Sequence, residues 1–383
     1  IEEQKTEIQN NFPEILNVKE KPKEERVGLP PLEGAEHGKV VTRFTPAPNG
    51  YPHIGHAKAA IISEEYTKMY SGKIILRFDD TNPDDTRLEY WAAIKVGLDW
   101  LGIKFDEEKN TSDDIELLYD KCMEMIKKNY AYVCTCKRDT VSKNRKEMIS
   151  CECSNGDVKQ NEDRWRKMFD KYKPGDAIVR FRGNMESKNT VMRDPVLFRI
   201  IDERHPLLEK KYRVWPSYDF AVAVEDYTDG ITHALRSKEY ELRNELYYAI
   251  LDALDMKKPK MMEFSRLEFK GMPVSKRILR PLIDEGKVSW YDDPRLPTLE
   301  ALKRRGITPE AIRKFILSLS LTKADTLAPF DSLEAFNRKI IDKNSIRLFM
   351  VKRPKTLTVS NLPNSAVELP NHPSNDMGTR QIN

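Results

Sequence analysis

The 383-residue sequence has no apolar run long enough to cross a membrane, and no hydrophobic stretch of a secretion signal near its start. It also lacks internal repeats and long low-complexity segments. Neither sign of charge is in large excess, because 33% of the residues are charged but the net charge is only +4. The five cysteines are an odd number, which favours reduced thiols or metal ligands over a disulfide framework. These features predict a soluble, cytoplasmic protein of two or three domains.

The most informative stretch is FTPAPNGYPHIGHAK, which runs from Phe44 to Lys58. A short strand-like segment precedes this loop, apolar residues at helical spacing follow it, and a second strand-like segment lies at 73–78. This order opens a parallel α/β unit, where ligands bind at the carboxyl ends of the strands. His53 and His56 would face one ligand at a helix N-terminus, which favours phosphate. The alternative is a pair of histidines that only cap or pack the helix.

A second candidate loop, MPVSKR at 272–277, follows a strand-like segment at 263–267. A mobile loop with serine and lysine can close over a triphosphate and offset its charge. Taken alone, the triplet SKR is an ordinary surface sequence. Parallel α/β character returns at 219–224, and Thr308-Pro309 predicts a helix start.

HIGH at 53–56, followed far downstream by this variant of KMSKS, resembles the class I aminoacyl-tRNA synthetases. The blocks at 42–44, 76–83, 218–221, 230–233 and 292–298 are similar to the glutamyl/glutaminyl branch, and the similarity covers roughly residues 40–350. NGYP before the histidines and WP ahead of YDFA are similar to the archaeal and eukaryotic type of glutamyl-tRNA synthetase. The resemblance implies a Rossmann-like parallel α/β catalytic sheet.

The resemblance also implies a domain order along the chain. We expect a polar arm (1–39), the first half of the catalytic domain (40–103), an insertion that binds the tRNA acceptor end (104–213), the second half of the catalytic domain (214–292), a helical stem-contact domain (293–353), and the start of a β-barrel anticodon-binding region (354–383). Since only the first strands of such barrels fit into the last segment, we expect the anticodon region to be incomplete.

Site residues are carried over from the family motifs. The implied ATP site comprises Pro46, Ala47, Pro48, His53, Gly55, His56, Ser237, Arg266, Leu267, Val274, Ser275 and Lys276. Of these, His53, His56 and Lys276 are the implied catalytic residues. Arg43 would hold the amino acid's carboxylate, Asp79 its ammonium group, and Tyr218 would contact the side chain. Ala47 and Val274 depart from the pattern, which often has Glu at the first position and Met or Leu at the second.

Glutamate and glutamine differ by one charge, so a cation should decide between them. Arg236 stands where glutaminyl relatives have a small uncharged residue, and a guanidinium binds a carboxylate bidentately. The alternative is that Arg236 pairs with Glu239 or Glu241 on a surface helix. Met261, near a position that is Gln in glutaminyl relatives, also argues against an amide site.

The insertion contains two C-x-C pairs, Cys134/Cys136 and Cys151/Cys153, which are either a tetrahedral zinc site or reduced thiols. It also contains basic residues suited to a phosphate backbone, namely Arg180, Arg182, Arg193, Arg199, Lys210, Lys211 and Arg213. Further basic residues at 303–305 and 313–314 would face the tRNA elbow.

The sequence therefore predicts a glutamate–tRNA ligase that uses ATP and Mg²⁺, activates L-glutamate and charges tRNA(Glu), with tRNA(Gln) as a second possible acceptor. Three alternatives stay open: a glutaminyl enzyme, a non-catalytic tRNA-binding derivative, and a small nucleotidyltransferase with the same histidine motif. Arg236 opposes the first, the intact site residues oppose the second, and the long insertion opposes the third. The oligomeric state is not predicted.

Overall fold

The computed structural model describes residues 28–319, 321–348, 350–355, 360–361 and 366–382. Most of the predicted N-terminal arm, 1–27, therefore lies outside the described residues. Within the described part, no helix is both long enough and apolar enough to span a bilayer.

The helices and strands are given in chain order. They are β1 (Val41–Phe44), α1 (Ile54–Met69), β2 (Lys73–Phe78), α2 (Leu88–Trp100), β3 (Glu107–Asn110), α3 (Ile115–Lys127), β4 (Ala131–Cys134), α4 (Arg138–Glu147), α5 (Val158–Asp170), β5 (Ile178–Phe181), β6 (Val196–Ile200), β7 (Val214–Pro216), α6 (Tyr218–Thr228), β8 (His233–Ser237), α7 (Asn244–Ala253), β9 (Lys260–Phe264), β10 (Leu267–Phe269), α8 (Lys276–Asp284), α9 (Leu299–Arg304), α10 (Pro309–Ser318), β11 (Thr326–Ala328), α11 (Phe330–Ile341), β12 (Val367–Pro370) and β13 (Thr379–Ile382).

Parallel strands form the centre of the fold. β1 pairs with β2 and β2 with β3, while β8 pairs with β9, all in parallel. β8 lies beside β1, where the Thr232 amide donates to the Val41 carbonyl at 3.0 Å. The ladders β1-β2-β3 and β8-β9 thus meet where β8 lies beside β1. The order of the strands along the chain reverses at this point, and such a switch point is where open α/β sheets bind ligands. The predicted Rossmann-like α/β class is confirmed.

A separate antiparallel sheet, in the order β4-β5-β6-β7, spans residues 131–216 and lies mostly within the predicted insertion (104–213). β3, at Glu107–Asn110, belongs to the central parallel sheet instead. The apolar face of the antiparallel sheet packs on α3, α5 and the helices α6 and α7 of the catalytic region. Trp215 and Phe220 are both fully buried in this shared core. The insertion and the catalytic helices α6 and α7 therefore share one core.

The segment at 219–224 forms the helix α6, and the parallel strands β8 and β9 come after it. The apolar run from Phe220 to Val224 is similar to a buried strand. The reason is that this helix is buried on almost all sides, so its sequence has no polar face that would mark it as helical. Thr308 caps α10 by accepting from the Ala311 amide at 3.2 Å, which confirms the predicted helix start. Near the C-terminus, β12 and β13 form an antiparallel pair.

Candidate active site

The histidine motif forms the N-terminal cap of α1. The Gly55 amide donates to Nδ1 of His53 at 3.1 Å, and the His53 amide donates to Nδ1 of His56 at 3.2 Å. This is a capping box in which two imidazoles do the work of the usual hydroxyl and carboxylate. The spacing H-x-x-H thus caps the helix, and it also brings the centroids of the two rings to within 4.0 Å of each other.

The capping bonds also fix the chemistry of the two rings. Each Nδ1 accepts a hydrogen bond, so in the neutral ring the proton is on Nε2, which remains as a donor. Burial lowers the pKa of His56 to about 4, and burial together with His56 lowers the pKa of His53 well below its ordinary value. At neutral pH the motif therefore presents two uncharged N–H donors beside the positive end of the α1 dipole.

Gly55 is required between the two rings. A Cβ built at this position would lie 2.9 Å from the Cε1 atom of His53. A larger residue would push the His53 ring away from the Gly55 amide and break the cap. The glycine of the motif is therefore explained by the close approach of the imidazole.

A cleft of about 350 Å³ opens at the switch point between β1 and β8. The structure brings most of the predicted site residues to its walls, namely Arg43, Pro46, Ala47, His53, Gly55, His56, Asp79, Tyr218, Arg236, Ser237, Arg266, Leu267 and Val274. Pro48 is buried behind the wall, where its carbonyl accepts from the Arg87 amide at 3.2 Å. Ser275 is exposed just before α8, and the side chain of Lys276 lies outside the described part of the structure.

Arg43 lines the cleft and is 2% exposed. Its Nε and Nη2 donate to the Asp226 carboxylate, and its Nη1 donates to the Leu235 carbonyl at 2.8 Å. Two guanidinium hydrogens, one on each Nη, stay outside these bonds. The Arg43 side chain is thus held rigidly and keeps donor capacity for a ligand.

Arg236 lies on β8 rather than on a surface helix and is 5% exposed. Its Nη2 donates to Asn244, and its guanidinium lies 5.3 Å from the ring centroid of Tyr247. Nε of Arg236 is buried and has no hydrogen-bond partner among the described residues. The predicted alternative, an ion pair with Glu239 or Glu241, is not what the structure has. A buried cation on a cleft wall, with no carboxylate paired to it among the described residues, favours an anion in the cleft.

Asp79 and Tyr218 both line the cleft and also line a smaller neighbouring cavity of about 150 Å³. Burial raises the pKa of Asp79, whose Oδ1 accepts from the Thr81 hydroxyl at 3.0 Å. Burial likewise raises the pKa of Tyr218, so its hydroxyl keeps its proton. One acidic group and one neutral donor therefore flank the two arginines.

Sequence reasoning missed Lys58, which lines the cleft from the second turn of α1. The side chain is 1% exposed, and its Nζ donates to the Ser265 carbonyl at 2.5 Å and to the Ser265 hydroxyl at 3.0 Å. Burial lowers the pKa of Lys58 to about 8. The bond joins the histidine helix to the segment that carries Arg266 and Leu267. The sequence signal that could have identified Lys58 is its position among the buried residues of this helix.

The four cysteines of the insertion converge. Their sulfur atoms all lie within 4.8 Å of one another, with 3.7 Å between Cys134 and Cys151 and 3.8 Å between Cys136 and Cys153. A tetrahedron with Zn–S bonds of about 2.3 Å has edges of about 3.8 Å. All four are free thiols. The geometry of the donor set therefore fits a tetrahedral metal ion.

The prediction that the insertion's arginines contact a phosphate backbone is wrong for two of them. Arg180 is fully buried, and its Nε donates to the Asp194 carbonyl at 2.8 Å. Arg193 is 8% exposed and donates to the Ser187 and Arg145 carbonyls. These guanidinium groups satisfy buried backbone carbonyls, which counting basic residues in the sequence does not detect.

Comparison with known proteins agrees with this architecture. The family described as tRNA synthetases class I (E and Q), catalytic domain, matches residues 39–343. The chain belongs to this family. It is 67% identical over its whole length to a glutamate–tRNA ligase of Nitrosopumilus maritimus and 41% identical to one of Thermococcus kodakarensis, covering 67% and 68% of those proteins. This class I tRNA synthetase chain thus spans about two thirds of the length of the curated relatives it matches.

Solved structures support the synthetase fold. A glutamate tRNA ligase of Elizabethkingia meningosepticum superposes with a TM-score of 0.58 at 19% identity, covering 79% of this chain and 70% of that one. At 19% identity, this structural similarity supports the fold alone. The predicted membership of the glutamyl/glutaminyl synthetase branch is confirmed, and the matched relatives favour the glutamate reading over its alternatives.

Proposed function

We propose that this class I synthetase activates L-glutamate with ATP and transfers it to the terminal ribose of tRNA. The α-carboxylate of glutamate attacks the α-phosphorus of ATP, and pyrophosphate leaves. A hydroxyl of the terminal ribose then attacks the carbonyl carbon of the glutamyl-adenylate, and AMP leaves. One observation carries the proposal: a single cleft holds two neutral Nε2–H donors at a helix N-terminus and, on another wall, a buried arginine with a free donor.

The nucleotide end of the cleft suits ATP. His53 and His56 would donate to phosphate oxygens, and the α1 dipole would favour the charge that develops there. The hydroxyl of Ser237 is buried without a partner among the described residues and would bind the nucleotide. Val274, Ser275 and Lys276 would close over the phosphates as a loop. Mg²⁺ on the phosphates supplies further charge neutralisation when bound.

The amino-acid end suits a dicarboxylate with one ammonium group. Asp79 would bind the ammonium, and Arg43 and Arg236 would bind the two carboxylates, with Arg236 on the γ-carboxylate. Tyr218 would donate to the side chain. A neutral amide in place of the γ-carboxylate would leave the buried Arg236 charge uncompensated, which disfavours glutamine.

The acceptor is tRNA, as in the names of the matched relatives. We propose tRNA(Glu) as the substrate, and tRNA(Gln) as a second acceptor to be tested. The chain would be assayed for charging of both transcripts with labelled glutamate and, separately, labelled glutamine. The proposal expects glutamate on tRNA(Glu) and no product with glutamine. Charging with glutamine alone would contradict it and favour the glutaminyl alternative.

We propose further that Zn²⁺ binds the sulfur atoms of Cys134, Cys136, Cys151 and Cys153. The convergence of the four sulfur atoms at tetrahedral spacing supports the ion, and Arg180, whose Nη1 lies 3.6 Å from the Cys151 sulfur, would offset thiolate charge. The ion would hold the loops of the insertion together. Mass spectrometry of the purified chain should find one zinc per chain; a zinc-free chain with full thermal stability would contradict the proposal.

A further inference from the structure

The carboxylate of Asp226 lies behind the amino-acid end of the cleft, and Asp226 is fully buried on α6. It accepts hydrogen bonds from three side chains. Its Oδ1 accepts from Arg43 Nε at 3.0 Å and from Arg77 Nη2 at 2.7 Å. Its Oδ2 accepts from Arg43 Nη2 and from the Tyr247 hydroxyl, both at 3.0 Å. Asp226 is not among the residues that line the cleft.

Through these bonds Asp226 reaches both cleft arginines. It holds Arg43 directly, with two guanidinium nitrogens on one carboxylate. It holds Arg236 indirectly, because the Tyr247 hydroxyl is fixed by Asp226 while the Tyr247 ring lies 5.3 Å from the Arg236 guanidinium. Among the described residues, this carboxylate connects two cations that lie on different strands, β1 and β8.

The opposite side of Asp226 is anchored by Arg77. That guanidinium is 1% exposed and also pairs with Glu225 and Asp229, so it is saturated by carboxylates. Burial alone would raise the pKa of Asp226, but Arg43 and Arg77 outweigh burial and hold that pKa below its ordinary value. Asp226 is therefore an ionised, immobile acceptor.

We propose that Asp226 is a positioning residue for the choice of glutamate over glutamine. It holds Arg43 and, through Tyr247, Arg236 in the orientations that meet the substrate's carboxylates. A guanidinium discriminates a carboxylate from an amide only when its hydrogen-bonding edge is fixed in place. The inference rests on the proposed function, because it concerns the same cleft.

Two other roles for Asp226 make different predictions. If Asp226 acted only by its charge, removing it would make the cleft more positive, and preference for glutamate would rise. If it acted only in folding, preference would not change. The positioning role instead predicts that preference falls. The direction of the change therefore separates the three.

The test compares Asp226→Asn with Asp229→Asn as a matched control. Asp229 is the C-cap residue of the same helix and pairs with Arg77 and Lys109, but not with Arg43. Binding of the sulfamoyl analogues of glutamyl- and glutaminyl-adenylate would be measured by calorimetry, alongside ATP. In Asp226→Asn the affinity for the glutamyl analogue divided by that for the glutaminyl analogue should fall by about tenfold or more, because a fixed charge-assisted contact is lost. The affinity for ATP should stay the same. In Asp229→Asn the ratio should stay at the wild-type value.

A second variant keeps the proposal testable if Asp226→Asn does not fold. Tyr247→Phe removes only the hydroxyl bond to Asp226 and keeps the ring beside Arg236, so the ratio should fall by a smaller factor. An unchanged or increased ratio in the folded variants would overturn the role of Asp226. Failure of the wild-type chain to bind the glutamyl analogue would instead contradict the proposed function itself.

Discussion

The charge of Arg236 is the feature from which we expect the largest change in substrate choice. In Arg236→Gln the side chain would keep a donor for Asn244 and its packing on Tyr247, but it would lose the cation. Arg236 is 5% exposed, so water screens its charge poorly. A charge-assisted hydrogen bond of this kind contributes about 1.5–3 kcal/mol, which corresponds to a loss of about 10- to 150-fold.

The assay is steady-state charging of tRNA(Glu), with kcat/KM for glutamate and for glutamine measured in the wild type and in the variant. We expect kcat/KM for glutamate to fall by that factor and the ratio of glutamate to glutamine to fall at least as far. Arg204→Gln is the matched control, because Arg204 is an exposed arginine that pairs with Glu209 away from the cleft. A variant that keeps the wild-type ratio would refute the assignment of Arg236 to the γ-carboxylate.

Four further predictions follow from the structure. His56 has a pKa lowered to about 4, so its Nε2–H donor should persist down to about pH 5.5, and the change of ATP affinity between pH 7 and pH 5.5, measured by calorimetry, should be the same in the wild type and in His56→Gln; a step centred at pH 6.5 that only the wild type shows would contradict the neutral tautomer. The same lowered pKa means that the unfolded chain binds more protons between pH 4 and 6.5, so the free energy of unfolding should rise with pH across this window, by less in His56→Gln, as measured by urea titration. Lys58→Met should raise KM for ATP more than KM for glutamate, since it frees the Ser265 segment; equal effects on both would contradict this. Cys134→Ser should lower both the zinc content and Tm, whereas Cys122→Ser should leave the zinc content unchanged, because Cys122 lies apart from the cluster in a buried helix face.

Local patterns in the sequence were sufficient to predict the histidine loop and the strand order around it. His53 and His56 act within one helix turn, so their spacing carries the information. The convergence of the cysteine pairs was open from sequence, because C-x-C spacing fixes each pair and not the distance between pairs. Arg236 was identified by resemblance, while its position on a strand rather than a helix required the structure.

The parts that could not be predicted depend on contacts between distant segments. Asp226 meets Arg43 across 183 residues, and Arg180 turns inward to carbonyl groups that the sequence does not mark as unsatisfied. A buried helix and a buried strand can share one composition, so the sequence did not show whether 219–224 is a helix or a strand. In each case the structure depends on which residues are buried. A sequence pattern indicates burial only for a helix or strand that has one face exposed to solvent.

The central claim is that one cleft joins glutamate to ATP, and exchange of labelled pyrophosphate into ATP tests it most directly. The resemblance of the sequence to this branch implies that tRNA is needed for this step, so the exchange would be measured with tRNA(Glu) present and absent. The account predicts exchange that requires glutamate and tRNA(Glu) and is lost in His56→Ala. Exchange that proceeds with glutamine but not with glutamate, or that is unaffected in His56→Ala, would contradict it.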